Sequence, residues 1–192
     1  MSARNMFVDV VRLSSASLGT HAFSCKRSSA RIQRHNCIND IIWRALGRAA
    51  VPCSKEPQGL LRDDGKRPDG LTLVPWMSGK CATWDVTVVD THGGAYLRKS
   101  AIQAASAAET AAVRETEKYR SLEQTYLFVP IAMETLGPMC EDAQAFIGDI
   151  GHKISDITSD PRPPIDSVFV SASICCDPEV QRGLPVRDVP NL

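Results

Sequence analysis

Asp69 and Asp85 are the two residues whose type and placement point most directly to chemistry. Asp69 closes the run Lys66-Arg67-Pro68-Asp69-Gly70, and Asp85 sits inside the apolar segment Thr83-Trp84-Asp85-Val86-Thr87-Val88-Val89. An ionised carboxylate in the middle of a strand is costly unless something pairs with it. A divalent cation is one such partner, and two carboxylates from neighbouring strands are a common way to hold Mg²⁺. Structural alternatives stand beside this reading. A Pro-Asp-Gly run is also what a simple turn looks like. Asp85 also has Lys66 or Lys118 as candidate partners in a structural ion pair.

The elements that must position these groups follow from pattern. Ile38, Ile41, Ile42, Ala45 and Leu46 fall at i, i+3, i+4, i+7 and i+8, which predicts an amphipathic helix capped by Asn36 and ending near 47–50, ahead of Pro52. Residues 51–60 predict a short strand. A hairpin is expected next, with Asp69 to Trp76 as one arm, residues 77–80 as the turn and Cys81 to Val89 as the other arm. Trp84, Val86 and Val88 then share one face, and Asp85, Thr87 and Val89 the other, so Asp69 and Asp85 are expected to meet at one end of the hairpin. His92-Gly93-Gly94 breaks the strand, and an alanine-rich helix is expected over about 100–124. Tyr126 to Thr135 reads as a strand placed at an edge or bulge by Pro130. Glu141 to Ile157 reads as a second amphipathic helix, burying Ala143, Phe146, Ile147, Ile150, Ile154 and Ile157. The order predicts an α/β or α+β domain around a small mixed sheet.

Composition bounds the function. The 192 residues are 43% hydrophobic and 23% charged, enough for one ordinary core, and the formal net charge of zero supplies no global attraction to nucleic acid. Charge is unevenly spread: residues 1–36 carry Arg4, Arg12, Lys26, Arg27, Arg31 and Arg34 against Asp9 alone. Such an arm either touches phosphates or is a solvated tail. The seven cysteines include no Cys-x-x-Cys and are irregularly spaced, which argues for a reducing, intracellular compartment (nuclear or cytoplasmic) rather than a secreted disulfide framework. No apolar run approaches the roughly 20 residues that cross a bilayer, so no membrane partner is expected. No glycine loop of a phosphate-cradling type occurs, and Cys37 lies two residues from His35, a spacing that does not face on a helix and discounts a Cys-His nucleophile pair. Three regions are expected: a basic irregular arm over 1–35, a globular domain over 36–158 and a Pro-rich, poorly ordered tail over 159–192, with a short strand over Val168 to Cys175.

Several words in order carry a resemblance. Arg34-His35-Asn36, the stretch Asn39 to Leu46, Lys55-Glu56-Pro57, the stretch Asp64 to Gly70, Trp84-Asp85-Val86-Thr87-Val88 and Glu117-Lys118-Tyr119 together resemble the C-terminal endonuclease domain of site-specific non-LTR retrotransposon polyproteins. The likeness covers roughly residues 19–160. It implies a restriction-endonuclease-like αβββαβ core, a PD-(D/E)xK site and Mg²⁺-dependent nicking of DNA. Asp69 and Asp85 match the metal-binding carboxylates. The parent motif's lysine lies two residues after the second acid, where this chain has Thr87. In the retrotransposon branch a lysine on the following helix stands in, and Lys118 matches it. Glu56, as a third Mg²⁺ ligand, and Asp40 are further acids on neighbouring elements. Lys26, Arg27, Arg31 and Arg34 are the expected DNA contacts.

The family's zinc knuckle is represented only by its second half, His21 and Cys25. Residues 1–18 contain no cysteine, and a structural zinc site needs four ligands, so zinc is not expected to bind. The chain reads as a truncated copy with no room for a reverse transcriptase. Its alternative function is that of a non-catalytic remnant with at most weak DNA binding.

Overall fold

The structure, a computed structural model, describes residues 29–62, 64–90, 103–135 and 137–158, with the side chains of 29–31 left out. His21, Cys25, Lys26, Arg27, the break at 92–94 and the tail from 159 onward lie outside the described residues, as does the side chain of Arg31.

Helix α1 spans Ser29–Arg48. It starts well before Asn36, which corrects both the expected cap and the irregular arm reaching to residue 35. Ala30, Arg31, Gln33 and Arg34 have good helix propensity, so the helix extends N-terminally without needing an apolar face there. From Ile38 onward the predicted stripe is buried: Ile38, Ile42, Ala45 and Leu46 all enter the core. Arg34 is only 3% exposed, which removes it from the solvent-facing phosphate contacts expected of an arm.

Strands β1 (Cys53–Lys55), β2 (Gly70–Thr72) and β3 (Ala82–Val89) form an antiparallel meander. Helix α2 (Ser106–Lys118) then crosses over to β4 (Leu127–Glu134), which runs parallel to β3 along all of its length. Helix α3 (Glu141–Thr158) closes the domain. The sheet order is β1-β2-β3-β4, a four-stranded mixed sheet. With three helices among the described residues, the domain is a small α+β fold. Pro130 sits in β4 at the sheet edge, where a missing N–H is tolerated, as expected.

Alternation along β3 assigns the layers. Trp84 is fully buried; its indole Nε1 donates to Asn39 Oδ1 of α1 at 2.9 Å, and its ring lies 6.4 Å from that of Phe146 in α3. Asp85 and Thr87, on alternate positions, reach residues of α2. So α1 and α3 cover one face of the sheet and α2 the other. A strand covered on both faces explains the near-continuous burial of β3.

Two expected helix boundaries move. α2 is shorter than 100–124: Ala105 takes φ +65°, a left-handed conformation that separates it from the preceding turn, and after Lys118 the chain tightens into a 3₁₀ turn over Arg120–Leu122. The N-terminus of α2 is satisfied by a buried acid at the end of β4, since Ala107 N–H donates to Glu134 Oε1 at 2.9 Å. In α3 the predicted face is buried from Ala143 to Ile154, whereas Ile157, in the last turn, is 56% exposed.

Among the described residues, Cys53, Cys81 and Cys140 are free thiols. Among the described residues no helix is long and apolar enough to cross a membrane.

Candidate active site

The ladder between β2 and β3 brings the two aspartates together. Gly70 pairs with Trp84 and Leu71 with Thr83, so one further step sets Asp69 opposite Asp85 on the same face. Asp69 N–H donates to Trp84 O at 2.8 Å, continuing the pairing. Its carboxylate then leans onto β3, where Oδ2 accepts the Val86 N–H at 2.6 Å. The hairpin expectation for this pair is thus met by register and by a side-chain bond.

Gly70 is required by close approach. A Cβ built there would lie 2.0 Å from the Trp84 ring, so the indole covers the glycine's Cα from the neighbouring strand. α1 clamps the same corner at two points one helical turn apart. His35 Nε2 lies 3.0 Å from Asp69 Oδ2, and Asn39 Oδ1 accepts the Trp84 indole N–H. His35 Nδ1 also lies 3.2 Å from Asn36 Oδ1, so Asn36 orients the ring instead of capping the helix. The hydrogen bond to Asp69 raises the His35 pKa above its ordinary value, with help from the charges of Asp69 and Asp85 and against the effect of burial.

The other side of the site is built by the end of α2. Lys118 Nζ donates to Asp85 Oδ2 at 3.0 Å and to Glu115 Oε2 at 2.8 Å. Glu115 Oε1 in turn accepts from the Thr87 hydroxyl at 3.2 Å. Thr87 occupies the position two residues after the second acid, and it points into the same group of side chains that Lys118 enters from the facing helix. Burial works against the Lys118 charge, but the bond to Glu115 and the charge of Asp85 outweigh it, and its pKa rises. Asp85 is paired with Lys118, not with the alternative Lys66.

Tyr119 completes the cluster. Its ring is buried, and its hydroxyl lies 3.1 Å from Asp85 Oδ1 and 3.0 Å from the Arg67 carbonyl. One hydroxyl proton cannot serve both acceptors. With Asp85 protonated, the carboxyl donates to the tyrosine oxygen and the tyrosine donates to Arg67. With Asp85 ionised, the tyrosine proton turns to the carboxylate. Burial, first, and the Asp69 charge, second, push the Asp85 pKa up to about 7 despite the opposing Lys118. Burial and the Asp85 charge also raise Tyr119.

The remaining expected acids lie elsewhere. The Glu56 carboxylate pairs with Arg67, and its side chain is 61% exposed, which corrects its assignment as a metal ligand. Only its backbone belongs to the site, through Glu56 N–H donating to Asp69 O at 2.8 Å. Asp40 pairs with Lys55 and lies 4.0 Å from Arg44 on the same helix, the surface arrangement that its spacing allowed.

Two carboxylates from neighbouring strands, Asp69 and Asp85, are oxygen donors of the kind a hard divalent cation takes; Asp85 is held away from ionisation first by burial and second by the Asp69 charge. Mg²⁺ commonly takes one or two carboxylates and completes its shell with water and phosphate. Among the described residues no group of three His, Cys, Asp or Glu is arranged to hold a metal ion. His35, Glu115 and Tyr119 were not singled out as site residues in the sequence. The signal for His35 was its spacing of four from Asn39, which puts both on one helix face.

No protein-family model matches the chain, and no curated protein matches it. What the fold and the site show is a small α+β domain in which a largely buried carboxylate pair, a lysine and a tyrosine meet on a central strand.

Proposed function

We propose that this chain is the endonuclease-like domain of a site-specific non-LTR retrotransposon polyprotein, of restriction-endonuclease-like fold, and that it nicks DNA with Mg²⁺. The observation that carries the reading is Asp69 opposite Asp85, with Lys118 on Asp85. The αβββαβ order of elements and the Thr87–Glu115–Lys118 chain of bonds support it, since that chain links the Lys118 ammonium to Thr87, the position where the parent motif has its own lysine.

Asp69 and Asp85 would hold the cation. When bound, Mg²⁺ neutralises charge on the phosphate and acidifies a water. The protein's own groups do the rest. His35 orients the Asp69 carboxylate through its 3.0 Å bond. Tyr119 holds Asp85 Oδ1 through its hydroxyl. Lys118 balances the ionised form of Asp85 and presents donor hydrogens where an attacking water is oriented. Glu115 fixes Lys118 so that little rearrangement is needed on binding.

A second reading, a non-catalytic remnant that binds DNA weakly, is favoured by one observation. Both Asp85 oxygens already have partners within the chain, Lys118 and Tyr119, which hold the cluster together without a metal.

Conversion of supercoiled plasmid to open circle separates the two. The nuclease reading expects Mg²⁺-dependent nicking that falls by at least about a hundredfold in Asp69→Ala and Asp85→Ala, since loss of a metal ligand removes several kcal/mol of charge stabilisation. Nicking without Mg²⁺, or nicking equal in both variants and the wild type, discards it. Plasmid binding with no nicking leaves the remnant reading.

A further inference from the structure

A cavity of about 420 Å³ opens between the 3₁₀ turn Gln58–Leu60, with the chain that follows it, and the 3₁₀ turn Arg120–Leu122 behind α2. Leu60, Leu61 and Leu122 give it apolar walls; Arg62, Asp64 and Ser121 give it polar ones. None of these residues belongs to the carboxylate cluster, yet the cavity adjoins it. The Arg62 guanidinium lies 5.4 Å from the centre of the Tyr119 ring, and Lys118 Nζ lies 4.5 Å from the same centre. The hydroxyl of that ring is the one 3.1 Å from Asp85. One aromatic ring therefore separates the cavity from the carboxylate pair.

The Arg62 side chain is 28% exposed, and its Nε is 3.3 Å from Asp64 Oδ1. The guanidinium is also the side chain best matched to phosphate oxygens. The apolar wall beside it includes Leu61, which is 57% exposed.

We propose that this cavity is a nucleotide subsite, taking one nucleotide of the bound DNA strand next to the cleaved position, with its phosphate on Arg62 and its sugar or base against Leu60, Leu61 and Leu122. The volume falls in the range of small-ligand sites, and the mixture of one cation with apolar walls is what a nucleotide offers in reverse. Asp64 partly balances Arg62, so a free phosphate gains little here, whereas a strand already held at the neighbouring centre brings its nucleotide at high local concentration. This subsite rests on the DNA-binding part of the nuclease reading, and not on cleavage.

The test is fluorescence anisotropy of a 5′-fluorescein dodecathymidylate with the full chain in Ca²⁺, an oxygen-seeking cation that can fill a carboxylate site in place of Mg²⁺. Arg62→Ala should weaken binding about tenfold and lower the salt slope by about one. Ser121→Glu, at an exposed position, should weaken it too, by setting a carboxylate at the mouth while Arg62 stays in place. Arg44→Ala, on the exposed side of α1, should bind like the wild type. The proposal is overturned if Arg62→Ala and Ser121→Glu bind as the wild type does, if they lose no more than Arg44→Ala, or if the wild type does not bind the probe. Plasmid nicking keeps the two readings apart. Weakened binding in a protein that never nicks upholds the subsite and removes the catalysis. Nicking unchanged in both variants, with unchanged binding, removes the subsite and upholds the catalysis.

Discussion

At the scale of single residues, the protonation of Asp85 governs the site. Its folded pKa, about 7, stands above its ordinary value of 3.8 because burial and Asp69 disfavour the charged form. The folded state therefore binds that proton more tightly than the unfolded chain. The stabilisation is fully present below about pH 4 and is lost as pH rises through 7. Urea unfolding at stepped pH should show Asp85→Asn losing less stability than the wild type between pH 4 and 7. Parallel slopes for the two proteins would rule this out. His35 has the same sign: its folded pKa is raised, so its bond to Asp69 contributes below pH 6.5 and fades above the folded value. His35→Ala should flatten the stability profile at that upper end, measured in the same experiment.

At the scale of elements, one corner holds α1, β2 and β3 together. Gly70 admits the Trp84 ring, and Asn39 takes its indole proton. Any side chain at position 70 must displace a fully buried tryptophan, so Gly70→Ala should cost about 3 kcal/mol, at the upper end of overpacking effects. Asn39→Ala strands a buried indole N–H and should cost about 1–3 kcal/mol. Chemical denaturation checks both, and a Gly70→Ala protein as stable as the wild type would mean that the indole does not rest on that glycine. The same elements show why pattern reading works unevenly. The stripe of Ile38, Ile42 and Leu46 and the stripe from Ala143 to Ile154 were legible, because burial against a sheet demands that spacing. The first turns of α1 were not, because nothing apolar marks them: Ile32 is exposed and Arg34 is buried.

At the scale of the molecule, β3 is the organising strand. It pairs with β2 on one side and β4 on the other, and helices cover both of its faces. Its amides should exchange slowest, and those of the three-residue edge strand β1 much faster. Hydrogen-exchange mass spectrometry reads this directly, and equal protection in β1 and β3 would contradict it. The same centrality makes the site a product of three elements distant in sequence. Asp69 and Asp85 come from a hairpin, His35 from α1, Glu115 and Lys118 from the crossover helix, and Tyr119 from the residue that caps it.

The sequence by itself determined the order of the elements, the hairpin, and the meeting of both aspartates at one end of it. These depend on local spacing: a period of two in strands and 3.6 in helices is written in the chain. Only the tertiary structure decided the partners. Periodicity does not say which helix lies over which face, so it could not choose Lys118 over Lys66 for Asp85, seat His35 on Asp69, or send Glu56 outward to Arg67. Those choices follow from the crossover that lays α2 on one face of β3 while α1 covers the other, a contact between segments that no local pattern encodes.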